Sequence, residues 1–363
     1  MKKKESIFNK DAMDFLTRYH NQPSPTGFEW KNQQQWMEYL KPYVDKFETN
    51  TYGTAIGIIN PEAEYKVVLE AHADEISWYV NYITDDGMIY VTANGGIDEQ
   101  IAPAKRVNIH TEKGTVKGVF GWPATHIREK DVKPEKNNIF IDVGRHSRKE
   151  VQELGIEVGN VITYCDDFFV LNDDKFVSRA LDNRIGGFML AQVAMLLKEN
   201  GVKLPFGVYF TNSVQEESGR NGAEMIAGKI KPDVVIVTDV THDTTTPLLN
   251  EKKDGHAEIG KGPVLPVAPS VHNKLRKKLI DAAKAKKLPF QHLASTSTGT
   301  DTDAFAYSNS GVASVLVSLP IRYMHTPAEM VDKNDVENTI RLLYEGLLVI
   351  KDGEDFRYIQ PIK

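Results

Sequence analysis

The sequence predicts an α/β fold interrupted by an inserted β-rich domain, on three observations. After Val177, long amphipathic helices alternate with apolar strands, a pattern that implies a sheet with helices on both faces. Between about 76 and 177, short β-type runs separated by turn residues replace that pattern, as in a small β-barrel or sandwich. The apolar run 65–71 matches the later pattern, so the α/β part brackets the β-rich block. The predicted division is 1–75 plus 178–363 for the α/β domain and 76–177 for the insertion. A length of 363 residues also favours two domains.

In chain order, helices are expected over 11–20 and 31–47. Met13, Phe15, Leu16 and Tyr19 share one face of the first, and Trp36, Tyr39, Leu40, Tyr43 and Val44 one face of the second. Pro23-Ser24-Pro25-Thr26-Gly27 must break the chain between them. Strands follow over 65–71 and, inside the insertion, over 88–92, 106–110, 115–122, 138–143 and 161–164. Asp85-Asp86-Gly87, Gly95-Gly96 and Lys113-Gly114 supply the turns, and one short helix falls near 147–154. Beyond the insertion, helices are expected over 185–199, 221–227, 270–287 and 335–351, and strands over 206–212, 234–238 and 312–319. Val336, Ile340, Leu343, Leu347 and Ile350 align on the last helix, with Asp335 as its N-cap. The basic residues from Lys274 to Lys287 read as a solvated helix face.

Composition narrows the function. The net charge of −6 argues against nucleic-acid binding as the main role. No run approaches the ~18 apolar residues of a membrane span. The basic start Met1-Lys2-Lys3-Lys4 is followed by Glu5, Asn9, Lys10, Asp11 and Asp14, where a signal peptide would be apolar. With a mean hydropathy of −0.38, a cytoplasmic protein is expected. The single cysteine, Cys165, rules out an intrachain disulfide and a cysteine-rich zinc site, and reads as a packing residue. Any bound metal must be held by histidine and carboxylate.

Such residues sit just past the apolar strands: His72 and Asp74 after 67–69, Glu216-Glu217 after 206–212, and Asp239 after 234–238. Ligands of open α/β sheets bind outside the carboxyl ends of the strands, so these residues can meet at one edge. Asp182 in Leu181-Asp182-Asn183-Arg184, and His325 beyond 312–319, can join them. Two imidazoles and several carboxylates suit zinc, cobalt or manganese. Paired metals need a bridging carboxylate, for which Asp182 is the candidate. Adjacent side chains of extended chain face apart, so one of Glu216 and Glu217 can bind metal while the other takes a proton from water. Taken singly, a Glu-Glu pair reads as surface, each histidine as a satisfied side chain, and Asp182 as an N-cap. The combination carries the metal reading.

Matching stretches span nearly the whole chain. They are Pro23-Ser24-Pro25-Thr26-Gly27-Phe28-Glu29, Glu70-Ala71-His72-Ala73-Asp74-Glu75, Ala180-Leu181-Asp182-Asn183-Arg184-Ile185-Gly186, Gln215-Glu216-Glu217, Thr238-Asp239-Val240-Thr241, Gly299-Thr300-Asp301 and Pro320-Ile321-Arg322-Tyr323-Met324-His325-Thr326-Pro327. Through them the sequence resembles the glutamyl and tetrahedral (TET) aminopeptidases, dinuclear metallopeptidases also catalogued as cellulase M. The resemblance implies a mixed-sheet zinc-peptidase-type catalytic domain with an inserted small β-barrel domain that mediates subunit contacts. It implies one metal on His72, Asp182 and Glu217, and a second on Asp182, Asp239 and His325. Glu216 would be the general base, and Asp74 would orient His72.

Two stretches depart from the family's usual form: Ser218-Gly219-Arg220-Asn221-Gly222, and the acidic Thr300-Asp301-Thr302-Asp303. Neither removes a ligand; both bear on substrate selectivity. The expected function is hydrolysis of the N-terminal residue of short peptides, with two divalent ions (zinc, or cobalt) and a homo-oligomer built from dimers or a dodecamer. The alternatives are a deacylase or carboxypeptidase on the same site, a glycosidase, and an inactive scaffold.

Overall fold

The structure, a computed structural model, describes residues 7–360 and 362. The basic start Met1-Lys2-Lys3-Lys4 lies outside the described residues. Helices α1 (Lys10–Asn21) and α2 (Trp30–Leu40) precede strands β1 (Lys46–Thr49), β2 (Ala55–Ile59) and β3 (Lys66–His72). Then come β4 (Ser77–Ile83), β5 (Ile89–Asn94), β6 (Arg106–Thr111), β7 (Gly114–Gly121), β8 (Phe140–Asp142), helix α3 (Arg148–Glu153) and β9 (Val161–Tyr164). Strands β10 (Phe169–Leu171) and β11 (Lys175–Ser178) lead into α4 (Leu181–Glu199), β12 (Gly207–Ser213), α5 (Asn221–Ile230) and β13 (Val234–His242). Next are α6 (Glu251–Asp254), β14 (Val264–Val267), α7 (Asn273–Lys286), β15 (Gln291–Ala294), α8 (Asp301–Ala306) and β16 (Ala313–Ile321). The chain closes with β17 (Glu329–Asp332) and α9 (Lys333–Val349).

An eight-stranded mixed sheet, ordered β1-β2-β12-β3-β13-β16-β14-β15, forms the centre. Strands β12, β3, β13 and β16 run parallel, while β2 meets β12 and β14 meets β16 antiparallel. The parallel strands are rich in Val, Ile and Leu because helices cover both faces. Their core includes Trp36, Phe188, Phe210, Phe305 and Leu343, all fully buried. The six strands β4-β5-β8-β7-β6-β9 close into a barrel. It has its own core around Trp78, Ile109, Phe120 and Ile141. The mixed α/β architecture and the small barrel agree with the predicted fold. Strand β10 pairs with β11 and β11 with β17, in a three-stranded sheet separate from the barrel.

Some elements differ from expectation. The helix expected over 31–47 ends at Leu40 and passes through a 3₁₀ turn containing Pro42 into β1. Proline lacks the N–H of a continuing helix and its ring clashes with the preceding turn. The last helix begins at Lys333, and its N-cap is Asp332, whose side chain accepts the Asn334 N–H at 2.7 Å. Asp335 is instead buried and accepts the backbone N–H groups of Gly260 and Gly262 at 2.5 and 2.7 Å. Strand β13 runs on to His242, so Asp239 lies inside it and not past its end. Cys165 is half-buried, 3.3 Å from Asn108 Oδ1 on the barrel surface. Among the described residues no helix is long and apolar enough to cross a membrane.

Candidate metal centre

The carboxyl ends of the parallel strands gather the predicted residues. His72 ends β3, in register with Ser213, the last residue of β12. Four residues after Ser213 the chain reaches Glu217. Asp239 lies on β13, which is hydrogen-bonded beside β3. Asp182 stands at the head of α4, where its backbone (φ −75°, ψ 112°) has left the helix. The cap position falls to Ala180, so Asp182 is no N-cap. His325 sits in the loop joining β16 to β17.

These side chains form two groups that share Asp182. His72, Asp182 and Asp239 make one, and Asp182, Glu217 and His325 the other; within each, one donor atom per residue lies within 4.8 Å of the rest. Asp182 Oδ1 is 3.3 Å from His72 Nε2, and Asp182 Oδ2 is 3.3 Å from His325 Nε2. Asp239 Oδ1 lies 3.8 Å from His72 Nε2, and Glu217 Oε2 lies 3.5 Å from His325 Nε2. The pairing differs from that implied by the resemblance, which exchanged Glu217 and Asp239. The reason is topological: adjacent parallel strands carry His72 and Asp239, whereas loops bring Glu217 and His325 together.

Electrostatics show that this set fits a cation. Burial pushes Asp239 up to about 8, Glu216 up to about 10 and Glu217 well above the ordinary carboxylate range. Burial presses the same way on Asp182, but hydrogen bonds from His325 and His72 hold it low. Among the described residues no lysine or arginine lies within ion-pair distance of Asp182, Glu217 or Asp239. Several buried carboxyl groups whose ion-pair partners are imidazoles form a costly cluster that divalent cations would neutralise. The site opens into a cleft of about 770 Å³ lined also by Glu216, Arg220, Thr241 and Met324.

A surrounding shell holds these groups. Asp74 Oδ1 is 3.3 Å from His72 Nδ1. The same carboxylate accepts the Glu216 and Glu217 backbone N–H groups at 3.0 and 3.1 Å and the Thr26 hydroxyl at 2.9 Å. Glu29 accepts the N–H of Gln215 at 3.2 Å and that of Gly27 at 2.8 Å, and burial pushes its carboxyl up to about 8. Glu75 pairs with Arg179 and Arg184, each at 3.0 Å, beneath the head of α4. From the barrel side, the Gly96 carbonyl accepts from His325 Nδ1 at 2.8 Å, leaving Nε2 to face the site. Glu329, fully buried, also contacts this region, and burial pushes it up to about 8.

Sequence reasoning missed the roles of Glu29, Glu75, Gly96 and Glu329. Glu29 and Glu75 stood inside matching stretches, and Glu75 adjoins Asp74, which was the available signal. Glu329 lies two residues beyond the last stretch. The two departures from the family's form meet in space: Arg220 Nη1 lies 3.3 Å from Asp303 Oδ2. Asp303 in turn accepts the hydroxyls of Ser270 and Thr298.

Comparison with known proteins places the chain. Residues 53–342 match the M42 glutamyl aminopeptidase family. The lysyl aminopeptidase of Pyrococcus furiosus is 33% identical over 335 residues, covering 91% of this chain and 94% of that one. The TET aminopeptidase of a marine sediment archaeon of the Thaumarchaeota superposes with a TM-score of 0.88 at 29% identity, covering 93% of this chain and 96% of its own. The TET peptidase of Pyrococcus horikoshii, which can assemble into a tetrahedron or a large octahedral shell, superposes at 0.82 with 26% identity, over 93% and 99% of the two chains. The chain belongs to the M42 glutamyl aminopeptidase family and is a peptidase hydrolase of the metallo-aminopeptidase type.

Proposed function

We propose that the chain is a dinuclear metal-dependent aminopeptidase that removes the N-terminal residue of short peptides, with Glu216 as general base. The observation that carries this reading is the placement of Asp182, which offers one oxygen to each of two histidine-carboxylate groups. In this reading His72, Asp182 and Asp239 hold one ion, and Asp182, Glu217 and His325 the other. Zinc suits the mixed nitrogen and oxygen set, with cobalt as the alternative. Such ions, when bound, lower the pKa of water and polarise a carbonyl.

The protein's own residues do the rest. Glu216 lines the cleft beside Glu217 but belongs to neither ligand group; its carboxyl, raised by burial in the cation-free site, would ionise beside bound cations and so be available for proton transfer. It takes a proton from the attacking water as the C–O bond forms, then returns it to the nitrogen of the leaving amine as the peptide C–N bond breaks. Asp74 fixes the backbone that carries Glu216 and sits beside the His72 ring. Burial of the site keeps bulk water from screening these charges. The α/β part (1–75 and 178–363) carries the chemistry, and the insertion (76–177) supplies contacts between copies in a homo-oligomer that limits entry to short peptides.

The test is a panel of aminoacyl chromogenic substrates with free and acetylated amines, with metal content counted per chain. Two ions per chain and hydrolysis of only the free-amine substrates support the reading. Equal hydrolysis of acetylated substrates points to a deacylase or carboxypeptidase instead.

A further inference from the structure

Glu329 opens strand β17 and is 2% exposed. Its two oxygens serve two different chain segments. Oε2 accepts the Asp182 backbone N–H at 2.9 Å, and Oε1 accepts the His325 backbone N–H at 2.7 Å. Asp182 and His325 are the two residues whose side chains meet at 3.3 Å in the second ligand group.

The topology explains why one side chain reaches both. Glu329 stands opposite Ser178 in the β11–β17 pair. From that rung one arm runs four residues forward to Asp182, and the other runs four residues back to His325. The arms diverge from the rung and meet again at the site. Neither is regular: Ala180 (φ 56°), Tyr323 (φ 60°) and His325 (φ 61°) all hold left-handed backbone conformations that non-glycine residues rarely adopt. The Asp182 and His325 amides find their acceptors on the Glu329 carboxyl group. Each carboxyl oxygen carries lone pairs, so the one side chain can accept both N–H groups.

We propose that Glu329 is a positioning residue that sets the separation of Asp182 and His325, and so tunes metal affinity at the Asp182–Glu217–His325 group. This rests on the two-ion reading above. Glu329 does not touch the reacting atoms; it acts through the backbone of two residues that do the binding. Glutamine has the same size, but its amide nitrogen is a donor and would face one of the two N–H groups. One anchor is then lost while the packing volume stays.

The experiment is a cobalt(II) titration of the metal-free full chain, followed by visible absorption, in the wild type and in Glu329→Gln. The expected result is that the wild type takes two equivalents. In the variant, at least one equivalent binds 10- to 100-fold more weakly and its absorption band changes. A folded variant that binds both equivalents with wild-type affinity and an unchanged band overturns the proposal. If the variant does not fold, amide hydrogen exchange in the metal-free wild type decides. Protection of the Asp182 and His325 amides comparable to the paired amides of β17 supports the clamp, and exchange at surface-loop rates overturns it. A wild type that takes up no cobalt sinks the two-ion reading, while the exchange measurement still reports on the clamp separately.

Discussion

The Asp74 carboxylate accepts the Glu216 backbone N–H at 3.0 Å while lying 3.3 Å from the His72 ring, so one buried side chain locates both a proposed ligand and the proposed base. Asp74→Asn replaces one acceptor oxygen with a donor that faces an N–H group. It should lower kcat by about 10²-fold and metal affinity by about tenfold, in keeping with other outer partners of metal ligands. Steady-state kinetics and a zinc competition titration check both numbers. A variant with wild-type kcat would show that the Glu216 loop is held by other means.

Gly96 brings the barrel against the site. A Cβ built there would meet His325 Cε1 and Nδ1 at 3.0 Å, closer than ordinary van der Waals contact. The ring must give way slightly, which strains the 2.8 Å hydrogen bond that ties its Nδ1 to the Gly96 carbonyl. Gly96→Ala should weaken metal binding by about 10-fold or more, while the melting temperature of the metal-free protein changes little. Calorimetric zinc titration and a thermal melt separate the two effects.

Metal removal should abolish peptidase activity and also cost stability. Without cations Asp182, Glu217 and Asp239 are crowded buried carboxyl groups whose ion-pair partners are imidazoles. An ion bound to the folded chain stabilises it by about 2.7 kcal/mol at a hundredfold excess over its Kd. Chelation followed by a thermal melt should show a lower midpoint, restored by zinc or cobalt. Activity that survives exhaustive chelation would favour a metal-independent hydrolase.

Acid should destabilise the barrel through His110. Burial lowers its pKa from 6.5 to about 4, with Nε2 held 2.9 Å from the Thr163 hydroxyl. The folded value lies below the unfolded one, so the unfolded chain binds the extra proton between these values. This contribution is therefore complete above about pH 6.5 and is lost as the pH falls toward 4. From pH 7.5 to 5 the loss is on the order of 2 kcal/mol. Urea unfolding of metal-free protein at the two pH values measures it, and His110→Gln should flatten the difference. Buried His20 is shifted the same way and adds to the slope.

The sequence carried the periodicities that burial imposes. Val67, Val68 and Leu69, or Val234 to Val237, are apolar on both faces because they lie in the middle of a parallel sheet, and such runs are visible without a structure. His72, Asp182, Glu217, Asp239 and His325 were legible as a set because each borders or sits on such a run, or opens a helix. Which of them fall into one group was not legible, because it depends on strand order, and β3 neighbours β13 only through a long-range crossover. Edge strands such as β1 and β10 were missed, since half-exposed residues leave no strong pattern. Asp332 displaced Asp335 as the cap of α9 because tertiary contacts drew Asp335 to the backbone of Gly260 and Gly262. Glu329 had no local signature, because its partners are main-chain amides, one of them 147 residues away at Asp182.

In the proposed reaction Glu216 moves the proton while the neighbouring residues hold metal. The most direct test is Glu216→Gln, assayed for metal content and for turnover of a free-amine aminoacyl substrate. Two ions per chain with kcat lower by about 10²- to 10⁴-fold is the predicted result. Turnover close to the wild type in a fully loaded variant would contradict it.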